Sequence, residues 1–236
     1  MTYWIGRVEP SMWFEGAWWQ DILPRDVRLA VLSLGVRRLV DEDLERAHSV
    51  ILEKVEMLDK EGVDVINVGG SPVVAVHGRA GHARLLADIG AITDRPFVTS
   101  LQAELEGLRA VGAGRVAIAS PYPVAQTDKR VKVLTDEGIE VTGTRSLDIE
   151  RTRMIAELDP KDVLALAVRV ARENPDADVI YMPCGSLPVT GVIDEIESRT
   201  GKAVVTNAQA QIAANLRRMG YPQPVHGFGR LLETIA

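Results

Sequence analysis

The chain has very little cysteine, since Cys184 is the only one among 236 residues. A single cysteine excludes an intrachain disulfide, so a reducing cytoplasm is the expected compartment. It also restricts any thiol chemistry to one position. A lone cysteine is most often an inert buried filler, and the residues around it decide between a structural and a chemical role.

Long hydrophobic runs and an excess of positive charge are missing too. No segment reaches the roughly 18 apolar residues of a membrane-spanning helix, and the first residues are too polar for the apolar core of a signal peptide. The formal net charge is -6, whereas nucleic-acid binding needs clustered lysine and arginine. We therefore expect neither a membrane nor a nucleic acid as a partner.

Motifs for phosphate groups and metal ions are equally scarce. No phosphate-binding loop is present, and the Gly112-Ala-Gly114 pair precedes a strand instead of following one, which is typical of a helix end. His77 and His82 are five residues apart, a spacing that does not place both on one helical face, and no third ligand is evident. We expect neither a metal nor a cofactor.

What the chain does contain is a turn that occurs twice. Segment 178–187, DVIYMPCGSL, is an apolar strand that runs into a proline, the cysteine and Gly185. Segment 64–73, DVINVGGSPV, repeats it with Gly70 in the place of Cys184. Two further pairs of segments recur in the same order, namely 5–10 with 116–121 and 98–103 with 205–210. This duplication predicts two homologous halves.

Strands and helices are predicted to alternate along the chain. The predicted strands cover 3–8, 27–33, 64–68, 95–100, 115–119, 139–142, 178–182 and 202–206, and the main predicted helices cover 41–61, 101–111, 124–137, 160–174, 189–200 and 207–219. The alternation indicates an α/β fold with two similar parallel-sheet halves related by a pseudo-twofold axis and an active-site cleft between them. We assign 1–112 and 207–236 to the first half and 113–206 to the second.

Ligands of parallel sheets bind outside the carboxyl ends of the strands. Six predicted turns lie at such ends and form pairs between the repeats: Pro10-Ser11, Gly70-Ser71, Thr99-Ser100, Pro121-Tyr122, Cys184-Gly185 and Thr206-Asn207. All six line one cleft if the halves face each other, with Cys184 opposite Gly70. The predicted helix 189–200 places the thiol beside a helix amino terminus, which favours a thiolate and anionic ligands.

An aromatic cluster follows the first strand and holds four of the eleven aromatic residues: Trp13, Phe14, Trp18 and Trp19. Such large, rigid apolar groups form a core, a subunit interface or a wall of a substrate site. A core or an interface is the more common role. The cluster therefore leaves a homo-oligomer open, and also a substrate contact, because it directly follows a strand end.

The order and duplication of these motifs resemble the aspartate/glutamate racemase superfamily, and within it the arylmalonate decarboxylase and maleate cis-trans isomerase group. The resemblance covers essentially the whole chain and rests on five motifs: Pro10-Ser11, Gly70-Ser71, Ser120-Pro-Tyr122, Cys184-Gly-Ser-Leu187 and Val204-Val-Thr-Asn207. It implies two similar α/β halves and a small carboxylate substrate. It also implies that two cysteines face each other across the cleft and that no cofactor is used.

Gly70 departs from this two-cysteine pattern. A racemase of this type needs an acid or base on each face of the substrate carbon, and in maleate isomerases the first-half cysteine attacks the double bond. Arylmalonate decarboxylases match better, since they have glycine at the first position and Cys-Gly at the second. Loss of carbon dioxide from a malonate leaves an enediolate, which hydrogen-bond donors stabilise and a single thiol can protonate.

The resemblance implies roles for individual residues. Cys184 becomes the proton donor, while Ser71, Tyr122 and the backbone N–H groups of Cys184 and Gly185 hold the carboxylate that remains. Their positions in the turns make Ser11 and Asn207 further substrate-binding candidates, beside Gly70. Alternatively, Tyr122 is a surface turn residue, and Ser71 and Asn207 merely cap helices.

Two differences leave the substrate open. Pro72 lacks the hydroxyl that the decarboxylases have at this position, and Trp13 stands where maleate isomerases tend to have a substrate-binding asparagine. Three functions are therefore considered. The first is a cofactor-independent decarboxylase of a substituted malonate or related diacid; the second is an isomerase or racemase that uses Cys184 with water or Tyr122; the third is a non-catalytic carboxylate-binding relative.

Overall fold

Two four-stranded parallel sheets organise the chain in the computed structural model, which describes residues 2–12 and 15–235. The first sheet contains β1 (Tyr3–Glu9), β2 (Val27–Ser33), β3 (Val65–Val68) and β4 (Phe97–Thr99), and the second contains β5 (Arg115–Ser120), β6 (Glu140–Ser146), β7 (Val179–Met182) and β8 (Ala203–Thr206). Their strand orders, β2-β1-β3-β4 and β6-β5-β7-β8, are equivalent. The prediction of two similar parallel-sheet α/β halves is confirmed.

Strands β3, β7 and β8 are buried on both faces, because helices cover both sides of each sheet. Every residue of β3, β7 and β8 is buried, and their sequences VINV, VIYM and AVVT are nearly continuous apolar runs. This pattern is typical of parallel sheets. In β6, which lies at the edge of its sheet, no residue is fully buried.

The repeated Asp-Val-Ile motif sets the register of each sheet. Oδ2 of Asp64 accepts a hydrogen bond from the backbone N–H of Trp4 at 2.7 Å, and Oδ2 of Asp178 accepts one from the N–H of Arg115 at 2.8 Å. In return, the backbone N–H of each aspartate donates to the carbonyl oxygen of the same partner, at 2.9 and 2.8 Å. The same side chain therefore aligns β3 with β1 and β7 with β5.

Helices surround the two sheets. In the first half they are α1 (Glu15–Ile22), α2 (Asp41–Ser49), α3 (Ile51–Glu61), α4 (Ser71–Val74), α5 (Gly78–Ile92) and α6 (Ser100–Ala110). They continue with α7 (Val124–Asp136), α8 (Thr152–Ala156), α9 (Pro160–Glu173), a 3-10 turn (Thr190–Val192), α10 (Ile193–Thr200), α11 (Asn207–Arg218) and α12 (Arg230–Glu233). None of the described helices is both long and apolar enough to cross a membrane.

The prediction of one continuous helix over 41–61 is wrong, because the helix is interrupted at Val50. Val50 has φ -108° and ψ 5°, and its N–H bonds to the carbonyl of Ala47, three residues back. The hydroxyl of Ser49 donates to the carbonyl of Arg46 at 2.8 Å. Such local side-chain bonds compete with the helical pattern, and a tightened last turn ends α2 here.

The predicted helix over 189–200 also starts later than expected. The backbone forms turns through Leu187 and Val189, then a single 3-10 turn, and α10 begins only at Ile193. Cys184 is therefore nine residues before this helix in the chain; the predicted start at residue 189 is wrong, and the position of the thiol beside the amino terminus of the helix stays a prediction. Gly191 and the β-branched residues Val189, Thr190 and Val192 lower the helix propensity of this stretch.

Sequence patterns missed α5 entirely. Its 15 residues include three glycines, and only Leu85 and Ile89 are buried. Glycine costs helix stability, and two buried positions give a weak periodic signal. The packing of α5 against α3 supplies the order that the local sequence lacks.

The aromatic cluster divides between the core and residues outside the described ranges. Trp19 is fully buried, and the guanidinium carbon of Arg7 lies 4.0 Å from its ring centroid, in a cation–π contact. Trp18 is half-buried. Trp13 and Phe14 lie outside the residues that the structure describes, so a substrate contact of Trp13 stays a prediction.

Helices α6 and α11 start with the same capping box and pack against each other. Thr99 and Gln102 cap α6, and Thr206 and Gln209 cap α11, each through reciprocal bonds between side chains and backbone. Gly107 permits the close contact, since a Cβ there would lie 3.1 Å from Cβ of Ala210. Because α11 also contacts strands of both sheets, the division at residues 112 and 207 stays a prediction.

Thr206→Val should destabilise the protein, because valine keeps the shape of threonine but cannot accept the hydrogen bond from the N–H of Gln209, which is 3.1 Å long. We expect a loss of about 1 kcal/mol in the free energy of unfolding, measured by urea titration. Thr99→Val tests the same cap in the other half. An unchanged urea midpoint in both variants would contradict the structural role of the repeated cap.

Candidate active site

Six of the seven predicted site residues line one cavity at the carboxyl ends of the strands. They are Ser11, Gly70, Tyr122, Cys184, Gly185 and Asn207. Both halves contribute, and the hydroxyl oxygens of Ser11 and Ser186, one from each half, lie 3.4 Å apart. The cavity has a volume of about 30 Å³, which is room for little more than one water molecule.

Ser71 is the exception. It is fully buried as the first residue of α4, and within the described part of the chain its Oγ has no hydrogen-bond partner. It lines a neighbouring cavity of about 250 Å³. Gly70 takes the N-cap position of α4, without a side-chain cap, so the alternative that Ser71 caps this helix is wrong.

Cys184 has an unusual backbone conformation. Its φ is 95°, in the left-handed region, and Gly70 at the equivalent position has φ 84°. Glycine adopts this conformation without cost, whereas for a residue with a Cβ it stores strain, on the order of 1–3 kcal/mol at functional sites. The turn therefore fits glycine in both halves, and Cys184 occupies it in spite of the strain.

Gly70 has little space for a side chain. A Cβ there would lie 2.7 Å from Cβ of Pro10 and 3.2 Å from Cγ2 of Val73. The backbone of this wall therefore stays close to the cavity, and a thiol at Gly70 would require Pro10 to shift. Cys184 thus faces a wall without a competing acid or base at the equivalent position.

Tyr122 is part of the interior, and the alternative of a surface turn residue is wrong. Only 4% of it is exposed, and its backbone N–H donates to Oγ of Ser120 at 3.1 Å. Burial, with smaller contributions from Cys184 and Glu104, raises the pKa of Tyr122 well above its ordinary value. Its phenol therefore stays protonated at neutral pH and can act as a hydrogen-bond donor.

Asn207 is not the cap of its helix either, because Thr206 takes that position. Its Nδ2 donates to Oε1 of Glu104 at 2.6 Å, and its Oδ1 accepts from Nε2 of Gln211. Oε1 of Gln211 in turn accepts from Nη1 of Arg7 at 3.1 Å. A buried hydrogen-bond chain therefore holds the Asn207 amide in one orientation at the edge of the cavity.

At Glu104, this series of hydrogen bonds reaches a buried ion pair. Oε2 of Glu104 on α6 lies 3.3 Å from Nη1 of Arg130 on α7, and only 1% and 4% of the two side chains are exposed. Burial alone would lower the pKa of Arg130, but Tyr181, Glu104 and Tyr122 raise it above the ordinary value. Arg130 is therefore a permanent cation behind the cavity.

Sequence reasoning missed both members of the ion pair. Arg130 follows Gln126 and precedes Leu134 at four-residue spacing, and all three are buried. Glu104 has the same kind of position in α6. A charged residue on the buried face of a predicted helix was the available signal, because such a charge needs a partner.

Two segments form the roof of the cavity, residues 36–39 of the first half and 150–152 of the second. The N–H of Leu39 donates to the carbonyl of Glu150 at 2.9 Å, and the N–H of Thr152 donates to that of Arg37 at 3.2 Å. Val36, Leu39 and Thr152 line the cavity from this roof, next to Leu44. The hydroxyl of Thr152 is within hydrogen-bond distance of the carbonyl oxygens of Val36 and Arg37, at 3.4 and 3.3 Å, so the inner face of the roof is mostly apolar, and the roof connects the two halves.

The cavity lining carries no charge among the residues that the structure describes. Its polar members are hydroxyl, thiol and amide groups, and the rest are apolar or glycine. Across the described ranges, no group of three or more His, Cys, Asp or Glu side chains is placed to hold a metal ion. An anion bound here would therefore interact with neutral donors on one side and with hydrocarbon on the other.

Comparisons with known proteins agree with this architecture. A model of the arylmalonate decarboxylase family matches residues 20–232. Arylmalonate decarboxylase of Bordetella bronchiseptica is 30% identical over 209 residues, which cover 88% of this chain and 87% of that protein.

Two solved structures are also similar over nearly their whole length. One is a variant of arylmalonate decarboxylase with a glycine changed to cysteine and a cysteine changed to serine, in a liganded form (TM-score 0.90, 28% identity, 98% of both chains). The other is the maleate isomerase Iso of Pseudomonas putida S16 (TM-score 0.91, 25% identity, 100% of both chains).

The strain at Cys184 leads to a prediction about stability. Cys184→Gly should be more stable than Cys184→Ala, by up to about 1 kcal/mol, because only glycine relieves the cost of a left-handed residue with a Cβ. Urea unfolding of the two variants measures the difference. The control is Ala75→Gly, at a residue with φ -105°, where glycine should instead destabilise by roughly 0.5–1 kcal/mol. An alanine variant more stable than the glycine variant at position 184 would show that the turn is not strained.

Proposed function

Because the chain belongs to the arylmalonate decarboxylase family, we propose that it is a cofactor-independent decarboxylase of a substituted malonate or a related small dicarboxylate. Cys184 would protonate the enediolate that remains after loss of carbon dioxide. The observation that carries the proposal is the single thiol of Cys184 on one wall of the cavity, with Gly70 at the equivalent position of the other half. One proton donor suits a reaction that delivers one proton to one face.

A similarity to the solved relative supports this assignment. The glycine and cysteine exchanged in the liganded arylmalonate decarboxylase variant are separated by the same 114 positions as Gly70 and Cys184. The natural form of that protein thus has the same pair at the same spacing. The match concerns the two positions at which decarboxylases and two-cysteine members of the superfamily differ.

In the proposed reaction, the two carboxylates of the substrate bind in different surroundings within the cavity. One is held by the phenol of Tyr122 and the backbone N–H groups of Cys184 and Gly185, with Ser11 and Asn207 as neighbouring polar groups. The other faces the apolar roof. A carboxylate without hydrogen-bond donors is destabilised, and its conversion to neutral carbon dioxide removes the charge.

The electrons and the proton then follow defined paths. The bond between the central carbon and the departing carboxylate breaks, and its electron pair moves into the retained carboxylate to form an enediolate. Tyr122, whose phenol stays protonated, donates to the charge that develops on the enediolate oxygens. The thiol of Cys184 transfers its proton to the carbon, and solvent returns a proton to the thiolate. Each turnover consumes one proton and releases one carbon dioxide and one monocarboxylate.

The cavity volume of about 30 Å³ is too small for such a substrate, so binding requires the roof to move. The hydrogen bonds of Leu39 with Glu150 and of Thr152 with Arg37 connect the roof segments. Separation of these hydrogen bonds and of the ion pair between Arg38 and Glu150, which joins the same two segments, would open the cleft without breaking a hydrogen bond within either sheet. Closure afterwards excludes water, which strengthens the hydrogen bonds to the retained carboxylate.

A second candidate function is a cis-trans isomerase or racemase of a small carboxylate. It is favoured by the similarity to maleate isomerase over the full length of both chains. In that reaction Cys184 would act with Tyr122 or water on the opposite face. Release of carbon dioxide distinguishes the decarboxylase from this candidate, and a non-catalytic relative would bind carboxylates without turning them over.

The decarboxylase assignment predicts a product of one handedness. The protein is incubated with a panel of malonates that each carry one aryl and one alkyl group on the central carbon. It should release carbon dioxide and give the chiral monocarboxylate as a single enantiomer, with one deuterium at the α-carbon when the solvent is heavy water. Maleate and chiral monocarboxylates, tested in parallel, should remain unchanged. Isomerised maleate without release of carbon dioxide from any malonate would establish the second candidate instead.

Substitutions within the cavity test the individual roles. Cys184→Ala should lower turnover by ~10²–10⁴-fold with little effect on ligand affinity, because a positioned general acid typically contributes this much. Tyr122→Phe should lower kcat by ~10²–10³-fold with a smaller effect on KM, as for other oxyanion donors. Circular dichroism checks the fold of each variant. Turnover of Cys184→Ala within threefold of the parent would remove the thiol from the mechanism.

A further inference from the structure

A second and larger cavity lies directly beside the catalytic one. Its volume is about 250 Å³, and Leu44 and Pro72 line both cavities. The first half contributes α4, α5 and α6 to its walls, and the second half contributes α7. The proposed reaction gives no role to this space.

The interior of this cavity combines hydrocarbon with hydrogen-bond donors. Leu101, Leu105 and Val133 provide apolar walls, and Ser71 and Arg130 line the same space. The hydroxyl of Ser71 and the Nε of Arg130 are buried without a hydrogen-bond partner in the described part of the chain. Buried donors of this kind normally have acceptors, and an oxyanion bound in this cavity would supply one for both.

Glu104 does not satisfy Arg130 on its own. One of its oxygens lies 3.3 Å from Nη1 of Arg130 in an ion pair without a hydrogen bond, and the other oxygen accepts from Asn207. A guanidinium has five N–H donors in a planar fork, which matches the two oxygens of a carboxylate. Arg130 can therefore bind a further oxyanion while its ion pair with Glu104 is kept.

Charges at the mouth of the cavity limit which anions fit. Arg79, Lys129 and Lys132 line it, although Asp41 lies 2.8 Å from Lys129 and Asp136 lies 3.0 Å from Lys132. Counting Arg130, the described lining has four cationic side chains against the carboxylates of Asp136 and Glu137, in a chain whose net charge is -6. A ligand with a single negative charge is attracted, whereas a second negative charge near the mouth would be repelled by the carboxylates of Asp136 and Glu137.

We propose that this cavity is a second ligand site, which binds a small organic monocarboxylate with its carboxylate at Arg130 and Ser71 and its hydrocarbon part against Leu101, Leu105 and Val133. The ligand lies on the far side of Leu44 and Pro72 from the catalytic thiol. The proposal goes beyond the proposed reaction, since neither Arg130 nor the apolar wall takes part in loss of carbon dioxide or in proton transfer.

The test uses benzoate as the probe and isothermal titration calorimetry on the full chain. One equivalent of benzoate should bind, whereas neutral benzamide and dianionic phthalate should bind at least about tenfold more weakly. Val133→Trp fills the cavity from α7 and should abolish benzoate binding. Val124→Trp is the matched control, since it makes the same exchange on the same helix at an exposed residue outside the cavity lining, and it should bind benzoate like the parent.

Two further variants locate the ligand. Arg130→Lys keeps the charge next to Glu104 but loses the planar fork, so it should weaken benzoate at least about tenfold even if Val133→Trp does not fold. Tyr122→Phe changes the catalytic cavity and should leave benzoate affinity unchanged. Loss of binding in Tyr122→Phe with full binding in Val133→Trp would place benzoate in the catalytic cavity and overturn the proposal. Absence of benzoate binding to the parent would show that the cavity holds only water, which equally overturns it.

Discussion

Glu104 and Arg130 form an ion pair that connects the two halves and is almost completely shielded from solvent. Removing either partner would leave an uncompensated buried charge, which typically costs about 3–5 kcal/mol. Separation of α6 from α7 would break this ion pair and is therefore unfavourable. Because Glu104 also binds the amide of Asn207, the same pair that holds the halves together orients a side chain at the edge of the catalytic cavity.

The catalytic cavity depends on a left-handed backbone conformation that the equivalent turns of both repeats adopt, although only the second repeat has a thiol there. Gly70 and Cys184 both have a left-handed backbone, as expected of duplicated turns. In the first half this geometry brings the backbone close to Pro10. In the second half it presents the only thiol of the chain. A strained residue persists where the surrounding structure holds it, and here the strain directs a reactive group towards a cavity of neutral donors and hydrocarbon.

Much of the architecture was predictable from the sequence. Apolar runs of four to seven residues predicted the strands, and the duplicated Asp-Val-Ile motif predicted equivalent sheets, because Asp64 and Asp178 make the same bonds to β1 and β5. Helix details were less predictable. The interruption at Val50 and the late start of α10 arise from turn-level hydrogen bonds, which hydrophobic periodicity does not register.

The sequence by itself determined that five of the six predicted turns meet, because parallel strands bring their carboxyl ends to the same edge and the repeat orders them in pairs; the sixth turn, Thr99-Ser100, does not line the cavity. It thereby brought together Cys184, Gly70, Tyr122 and Asn207. Only the tertiary structure decided what surrounds them. Arg130 and Glu104 lie 26 residues apart in the chain, on different helices, and Ser71 lines the second cavity. Such contacts depend on how the helices of the two halves pack against each other, and no local pattern encodes the distance between side chains that meet only across that interface.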